Sequence, residues 1–421
     1  MLKVQYSDHK YKYIMLYMAY FSLAIFSDYN APLTIYLYNF YNTIPFYAFM
    51  LGFLIWLLMD LRKDVKEIKI HWVVFLLLAR IVLFVTNAWV NFGWNIDMFA
   101  TELLMTGVSS VIFIYVYNFV SDNKAEIKNI CNVFISITSL QLFIVFLQHG
   151  FDVDKGLILA GIGGSNYAAT FLLVCITYML FTKTKIWEKV ITALGIVALL
   201  LTQSFGAYLA FAVVVILALC LKLNWRSKKT WYFVGGGCLT FAVALGLFFL
   251  TGPGQAVYQK VIEKLGYLLE GDFNSFGSSR LSLYQYSWYN IQKNIWFGVI
   301  DNVADPSVFG EAFNRFAHGR THNFFLESMV LYGIVGTILN IGIFVLIFYS
   351  AFKTFKKPEY VGCTIVLLAT FIHGFVEPNL FTLRFEWFLW LFIGILLSSD
   401  KNRAVVTIPL FSKKTRAKGN G

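Results

Sequence analysis

Residues 190–221 read VITALGIVALLLTQSFGAYLAFAVVVILALCL, 32 positions without a charged side chain. A helix needs about 20 apolar residues to cross about 30 Å of hydrocarbon, so this stretch is too long for one membrane span. Thr202, Gln203 and Ser204 form its polar interruption and divide it into two short spans. A chain built this way has lipid as its solvent, where backbone polar groups are satisfied inside helices.

Similar runs recur on both sides. They lie near 12–27, 36–59, 72–90, 98–120, 129–148 and 157–182 before it, and near 231–251, 323–350, 360–377 and 381–399 after it. With the two short spans the total is about twelve, which predicts an all-α polytopic membrane protein. Composition agrees: of 421 residues, 58% are hydrophobic, 19% aromatic and only 14% charged, outside the range of soluble domains. The basic start, MLKVQYSDHKYKY, leads into an apolar run with no small-x-small cleavage site, so it reads as an uncleaved first span. The expected layout is spans 1–9 over 1–251, a large loop over 252–322, spans 10–12 over 323–399 and a basic tail over 400–421.

Charge orients these spans. With the N-terminus inside, 25 of the 34 Lys and Arg fall in the N-terminal segment, in 60–71, 121–128, 183–189, 222–229 and 353–357, and in the tail. All lie on the face of both termini, which is therefore expected to be cytoplasmic. The formal charge of +11 is largely accounted for by that face, so no nucleic-acid partner is expected. The 252–322 loop falls on the outer, periplasmic or extracellular, face. Its segments VIEKLGYLLE and LSLYQYSWYNIQKNIWFG carry apolar residues at helical spacing, so a partly helical cap lying on the membrane is expected. The tail is expected to be disordered. Five cysteines, Cys131, Cys175, Cys220, Cys238 and Cys363, sit in apolar runs without CxxC spacing, which supports neither a disulfide framework nor a zinc site.

The chain lacks a GxxxxGK phosphate loop followed by Ser or Thr, an HExxH pair and an EF-hand series, so neither a nucleotide engine nor a metal centre is expected, and no cofactor. Its chemistry concentrates in HGRTHNFFLESMVLYGIVG, residues 318–336. His318 and His322 are four apart, but no carboxylate stands where a zinc protease would need one. Arg280, Arg315 and Arg320 are retained on an outer loop against the topological bias. Guanidinium forks match phosphate oxygens, so they read as anion ligands or as partners of loop carboxylates such as Glu263, Asp272, Asp305 and Glu311. His322 stands at the outer start of a span, beside Asn323 and five residues before Glu327. It is either a proton acceptor for a sugar hydroxyl or an interfacial anchor. Arg80 lies mid-span, where it pairs with Glu102 structurally or lines a cavity. His373 and Glu377, four apart at the outer end of a helix, stand with Arg384 and Glu386 as a cluster that could line the same cavity.

The stretches SSRLSLYQYSWYNIQKNIWFGV (278–299) and THNFFLESMVLYGIVG (321–336) resemble the O-antigen ligase and polymerase superfamily. Its hallmark is an Arg-led amphipathic segment ending near an aromatic-Gly turn, then His-Asn-x-x-Leu. The resemblance implies a metal-independent glycosyltransferase that takes a glycan from undecaprenyl diphosphate at the outer face of the bacterial inner membrane. It places the family's second arginine at Arg280 and its histidine at His322, and through GGSNYAA it puts Asn166 near the cavity. Arg320, Arg315, His318, Glu327 and Arg80 are the further substrate-binding candidates. The chain departs from the family at Phe205, where many members carry an arginine. The implied partners are an undecaprenyl diphosphate-linked oligosaccharide, membrane lipid and a chain-length regulator. A polymerase joining lipid-linked repeat units of O-antigen, capsule or exopolysaccharide is favoured, with a ligase acting on lipid A core or protein as the alternative. A transporter or flippase would instead need mid-membrane charges, broken helices and an internal repeat.

Overall fold

The structure, a computed structural model, describes residues 67–93, 99, 102–120, 125–149, 165–202, 204–222, 227–272, 275, 280–300, 321–355, 357–377, 380, 383–399 and 406–409. The spans expected at 12–27 and 36–59 lie outside these residues. The described chain is mostly helical. β1 is Glu67–Ile70 and α1 is Trp72–Phe92. α2, Val108–Tyr115, is flanked by π-helical turns over Leu103–Gly107 and Val116–Val120. α3 is Ala125–His149, α4 Ser165–Leu180, α5 Ile186–Leu201 and α6 Phe205–Lys222. α7, Lys228–Phe249, leads into α8, Gly252–Leu269, and α9 is Arg280–Lys293. α10 is Phe324–Thr354, α11 Pro358–Gly374, α12 Leu383–Leu397 and β2 Val406–Pro409.

Helix α1 shows how sequence becomes packing. Its buried positions Val73, Leu77, Arg80, Phe84 and Asn87 recur every three or four residues, the period of one helix face. Trp72, Phe75, Leu78, Val82, Trp89 and Val90 on its other side are exposed, a surface that suits hydrocarbon and not water. Apart from Glu386, helix α12 is apolar from Phe385 to Leu397 and buried on every face there, so it sits at the centre. Phe171 of α4 meets Phe134 of α3 at 5.2 Å and Phe385 of α12 at 5.3 Å between ring centroids. Two helices, Trp72–Asn91 and α10, are long and apolar enough to cross a membrane by length and composition. Shorter apolar helices fall in the predicted spans 98–120, 129–148, 157–182, 360–377 and 381–399 and in the second of the two short spans; the helices α5 and α7 lie in the first short span and in 231–251.

The predicted break at 202–204 is present, and Thr202 makes it. Its N–H closes α5 on Ala198 O and its hydroxyl lies 2.6 Å from Leu199 O, while Ser204 N donates back to Thr202 Oγ1. A side chain that bonds the backbone locally competes with the next helical turn.

A second break was not expected. The predicted single span over 323–350 is interrupted at Gly333, with φ 62° and ψ −165°. The turn after α9 fills the gap. Val299 N and Ile300 N donate to Val330 O at 2.8 and 2.9 Å, and Ile334 N and Val335 N donate to Ile295 O and Trp296 O at 2.9 and 3.1 Å. Asn87 Nδ2 donates to Phe297 O at 2.5 Å. Non-helical backbone inside an apolar bundle is tolerated where such partners exist. The 252–322 segment is therefore helical in α8 and α9, as expected, but its turn enters the bundle instead of only lying across it.

The bundle has two distinct ends. At one, β1 pairs antiparallel with β2, Glu67 opposite Pro409 and Ile70 opposite Val406. Residues 406–409 of the tail are thus ordered as a strand, contrary to the disordered tail expected. Asn118 bonds both backbone groups of Lys69, and Lys128 Nζ donates to Lys183 O at 2.6 Å. These all come from segments that the charge map assigns to one face. At the other end lie the start of α4, the α5–α6 break, the start of α9, the start of α10 and the end of α11.

Candidate active site

Helix α11 ends in a turn in which Val376 N and Glu377 N both donate to His373 O at 2.9 Å. This aims Glu377, 1% exposed, back into the bundle. Three elements converge on its Oε2. His322 Nδ1, just before α10, lies at 3.1 Å, Asn166 Nδ2 from α4 at 3.0 Å and the Arg280 guanidinium from α9 at 3.9 Å. The side chains of His322 and Arg280 remain 36% and 23% exposed. Both are open enough for a ligand to reach.

His322 is held in a strained conformation, φ 51°, which side-chain-bearing residues rarely adopt. Such strain survives where neighbours over-determine it. Thr321 N donates to Glu327 Oε2 at 2.8 Å, and Thr321 Oγ1 lies 2.9 Å from the same oxygen. Asn323 caps α10, its Oδ1 accepting from Phe325 N and Leu326 N. Its Nδ2 donates to Phe375 O at 3.2 Å. Tyr284 of α9 sets its hydroxyl 3.4 Å from His322 O. Burial, the largest influence, keeps that phenol above its ordinary pKa, so it stays a donor.

Burial is also the largest influence on Glu377, and it opposes ionisation. The hydrogen bond from His322, with the charges of His322, His373 and Arg280, outweighs it and holds the carboxyl below its ordinary range. His373 Nδ1 itself lies 3.1 Å from Thr170 Oγ1.

The sequence candidates separate in space. Arg280, His322 and Asn166 come together. The Asn166 amide is spent on Glu377 and on Ser204, whose hydroxyl donates to Asn166 Oδ1 at 2.8 Å, so it contacts the site through Glu377. Glu327 holds the backbone beside His322. Arg80 is 4% exposed in another cluster, 2.5 Å from Glu386 Oε1 and 3.3 Å from Glu102 Oε1. Thr106 and Tyr332 complete that cluster, so the pairing of Arg80 with Glu102 is present. His318, Arg315 and Arg320 lie outside the described residues. Glu377 and Ser204 were not among the binding candidates. The signal for Glu377 was its place four residues after His373 at a helix end. Among the described residues no three His, Cys, Asp or Glu side chains form a group that could hold a metal. An open apolar groove of about 390 Å³ begins at Phe324 and Phe325, next to His322, and continues past Phe344 and Phe348 to Phe352.

Residues 190–341 match the family model described as O-Antigen ligase. The match takes in the α5–α6 break, α9 with Arg280 and the start of α10 with His322, so the resemblance read in the sequence is shown. Proteins of this family are membrane-integral and glycosyltransferase-like. No curated protein matches the chain. Among solved structures, a chain described as "Structural coordination of polymerization and crosslinking by a peptidoglycan synthase complex" overlays with a TM-score of 0.41 at 17% identity, over 79% of this chain and 97% of that one.

Proposed function

We propose that the protein is a membrane glycan polymerase, transferring glycan from an undecaprenyl diphosphate carrier to a hydroxyl of another lipid-linked repeat unit. The observation that carries this reading is the meeting of Arg280 and His322, from separate elements, at one partly open site. Arg280 lies 3.9 Å from Glu377 and makes no short bond to it, so its fork is available to a diphosphate. His322 spends Nδ1 on Glu377, which leaves Nε2 for the acceptor.

The acceptor hydroxyl loses its proton to His322 Nε2 as its oxygen bonds to the anomeric carbon. The bond from that carbon to the diphosphate oxygen breaks, and the electron pair leaves on the diphosphate beside Arg280. A single displacement of this kind inverts the anomeric centre. Arg315, Arg320 and His318 are kept as further ligands of the diphosphate, in a chain that has Phe205 where the family arginine would stand. The groove from Phe324 to Phe352 is apolar and starts beside His322, which suits the carrier's isoprenoid tail. The site faces outward across the inner membrane, the strand-paired end faces the cytoplasm with both termini, and a chain-length regulator is a further partner. The family description favours a second reading, a ligase that moves finished glycan to lipid A core.

Transfer in vitro tests this. Purified protein is given undecaprenyl diphosphate glycan in EDTA, with His322→Ala and Arg280→Ala alongside. A ladder on the lipid carrier that both variants abolish is expected. Single-step transfer that needs lipid A core would make the protein a ligase, and variants as active as wild type would refute the site.

A further inference from the structure

Three breaks in the helical pattern meet at Glu377: the α5–α6 break, the strained start of α10 and the turn after α11. Ser204 in the first break is 2% exposed, so its hydroxyl must find a partner inside the protein. It donates to Asn166 Oδ1 at 2.8 Å, which turns the amide so that Nδ2 faces Glu377 Oε2 at 3.0 Å. A carboxylate only accepts, and that fixes the direction of the remaining bonds. Nδ2 has to donate to it, and so does His322 Nδ1 at 3.1 Å.

We propose that Ser204, Asn166 and Glu377 form a positioning relay that holds His322 as the tautomer protonated on Nδ1, with the Nε2 lone pair turned to the substrate. The relay rests on the role of His322 proposed above and adds residues to it. Neither Asn166 nor Glu377 touches the substrate. Glu377 also faces the imidazolium that forms when Nε2 takes the acceptor's proton, and the 3.9 Å contact with Arg280 ties the two reacting groups to one anchor. Asn166 keeps the carboxylate from turning away, and Ser204 keeps the amide from flipping. The interruption of the apolar run at 202–204 thus supplies the first donor of the relay. Phe205, beside it, opens α6 with its side chain 40% exposed.

The test uses full-length protein in nanodiscs and two readouts. Nitrogen NMR of labelled histidine, with His322 assigned by comparison with His322→Gln, reports the tautomer without any turnover. Initial rates on undecaprenyl diphosphate glycan report kcat and KM. Wild type is expected to show Nδ1 protonated and Nε2 bare. Glu377→Leu, which removes the acceptor of Nδ1, should populate the other tautomer and lower kcat on the order of 10³-fold with KM little changed, as when a base loses its orienting carboxylate. Ser204→Ala, a smaller change that preserves folding if Glu377→Leu does not, should lower kcat about tenfold in the same way. An unchanged tautomer and unchanged kcat in both variants would overturn the relay. Loss of transfer in His322→Ala with full activity in Glu377→Leu would overturn the relay alone. Full transfer in His322→Ala would overturn the catalytic reading, and the tautomer signal would still report whether Glu377 orients the ring.

Discussion

Replacing Gly333 by alanine should destabilise the protein markedly. Its backbone, φ 62° and ψ −165°, lies in a region open to glycine alone, and forcing an L side chain into such a region costs about 1–3 kcal/mol. A Cβ there would also fall on the Trp296 carbonyl and Phe297 N, which are backbone atoms that cannot swing aside. Moving that turn away sacrifices the bonds from Ile334 N to Ile295 O and from Val335 N to Trp296 O, each worth about 1 kcal/mol net. The sum is about 3–5 kcal/mol, a large part of the roughly 5–15 kcal/mol by which domains are stable. In thermal unfolding in detergent, read by tryptophan fluorescence, Tm should fall on the order of 10 °C. Gly342→Ala is the control, on the same helix with nothing within 4 Å of the added methyl, and should be neutral or gain about 0.5–1 kcal/mol. A Gly333→Ala protein that melts with wild type would refute the account of the filled break.

Arg80→Met leaves Glu102 and Glu386 buried without their cation, a loss of about 3–5 kcal/mol. Adding Glu102→Gln and Glu386→Gln should restore most of the Tm and keep transfer, whereas a stable but inactive triple variant would return Arg80 to the substrate. Because Glu377 is held below its ordinary carboxyl pKa of 4.5, its pairing contributes fully above that value and is lost as pH falls through the lower folded-state value. The Tm deficit of Glu377→Gln should therefore narrow as the pH falls below 4.5; a deficit that persists under acid would contradict the assignment. Thr321→Val removes the hydroxyl beside Glu327 and loosens the strained His322. Steady-state kinetics should then show kcat down about tenfold with KM unchanged, and a change in KM alone would count against the positioning role.

The two breaks show why one was legible and the other not. At 202–204 three polar residues interrupt an apolar run, and Thr202 terminates the helix with its own hydroxyl, so cause and effect are neighbours in sequence. At Gly333 the surrounding residues read as one unbroken span. A lone glycine in a helix is ordinary, and the break is stabilised by residues 295–300 from a different segment. The site divides likewise. Arg280 and His322 were legible from charge placed against the topological bias and from the family resemblance. Glu377 stood in view four residues after His373, but its partner His322 lies 55 positions away, a distance that no local pattern spans. Asn166 was expected at the cavity, and only the geometry shows both ends of its amide engaged. Residues 406–409 were read as tail because four residues of strand carry too little pattern to stand out from a basic, polar segment.

That short strand pair has a mechanical consequence. β1 leads directly into α1 and β2 follows α12, so the strand pair ties the two helices at one tip, while Arg80 holds Glu386 in the first turn of α12, near the opposite tip. A helix the length of α12 is about 22 Å long and is pinned to α1 near both of its ends. Tilting it away from α1 therefore requires either the strand pair or the buried ion pair to part first.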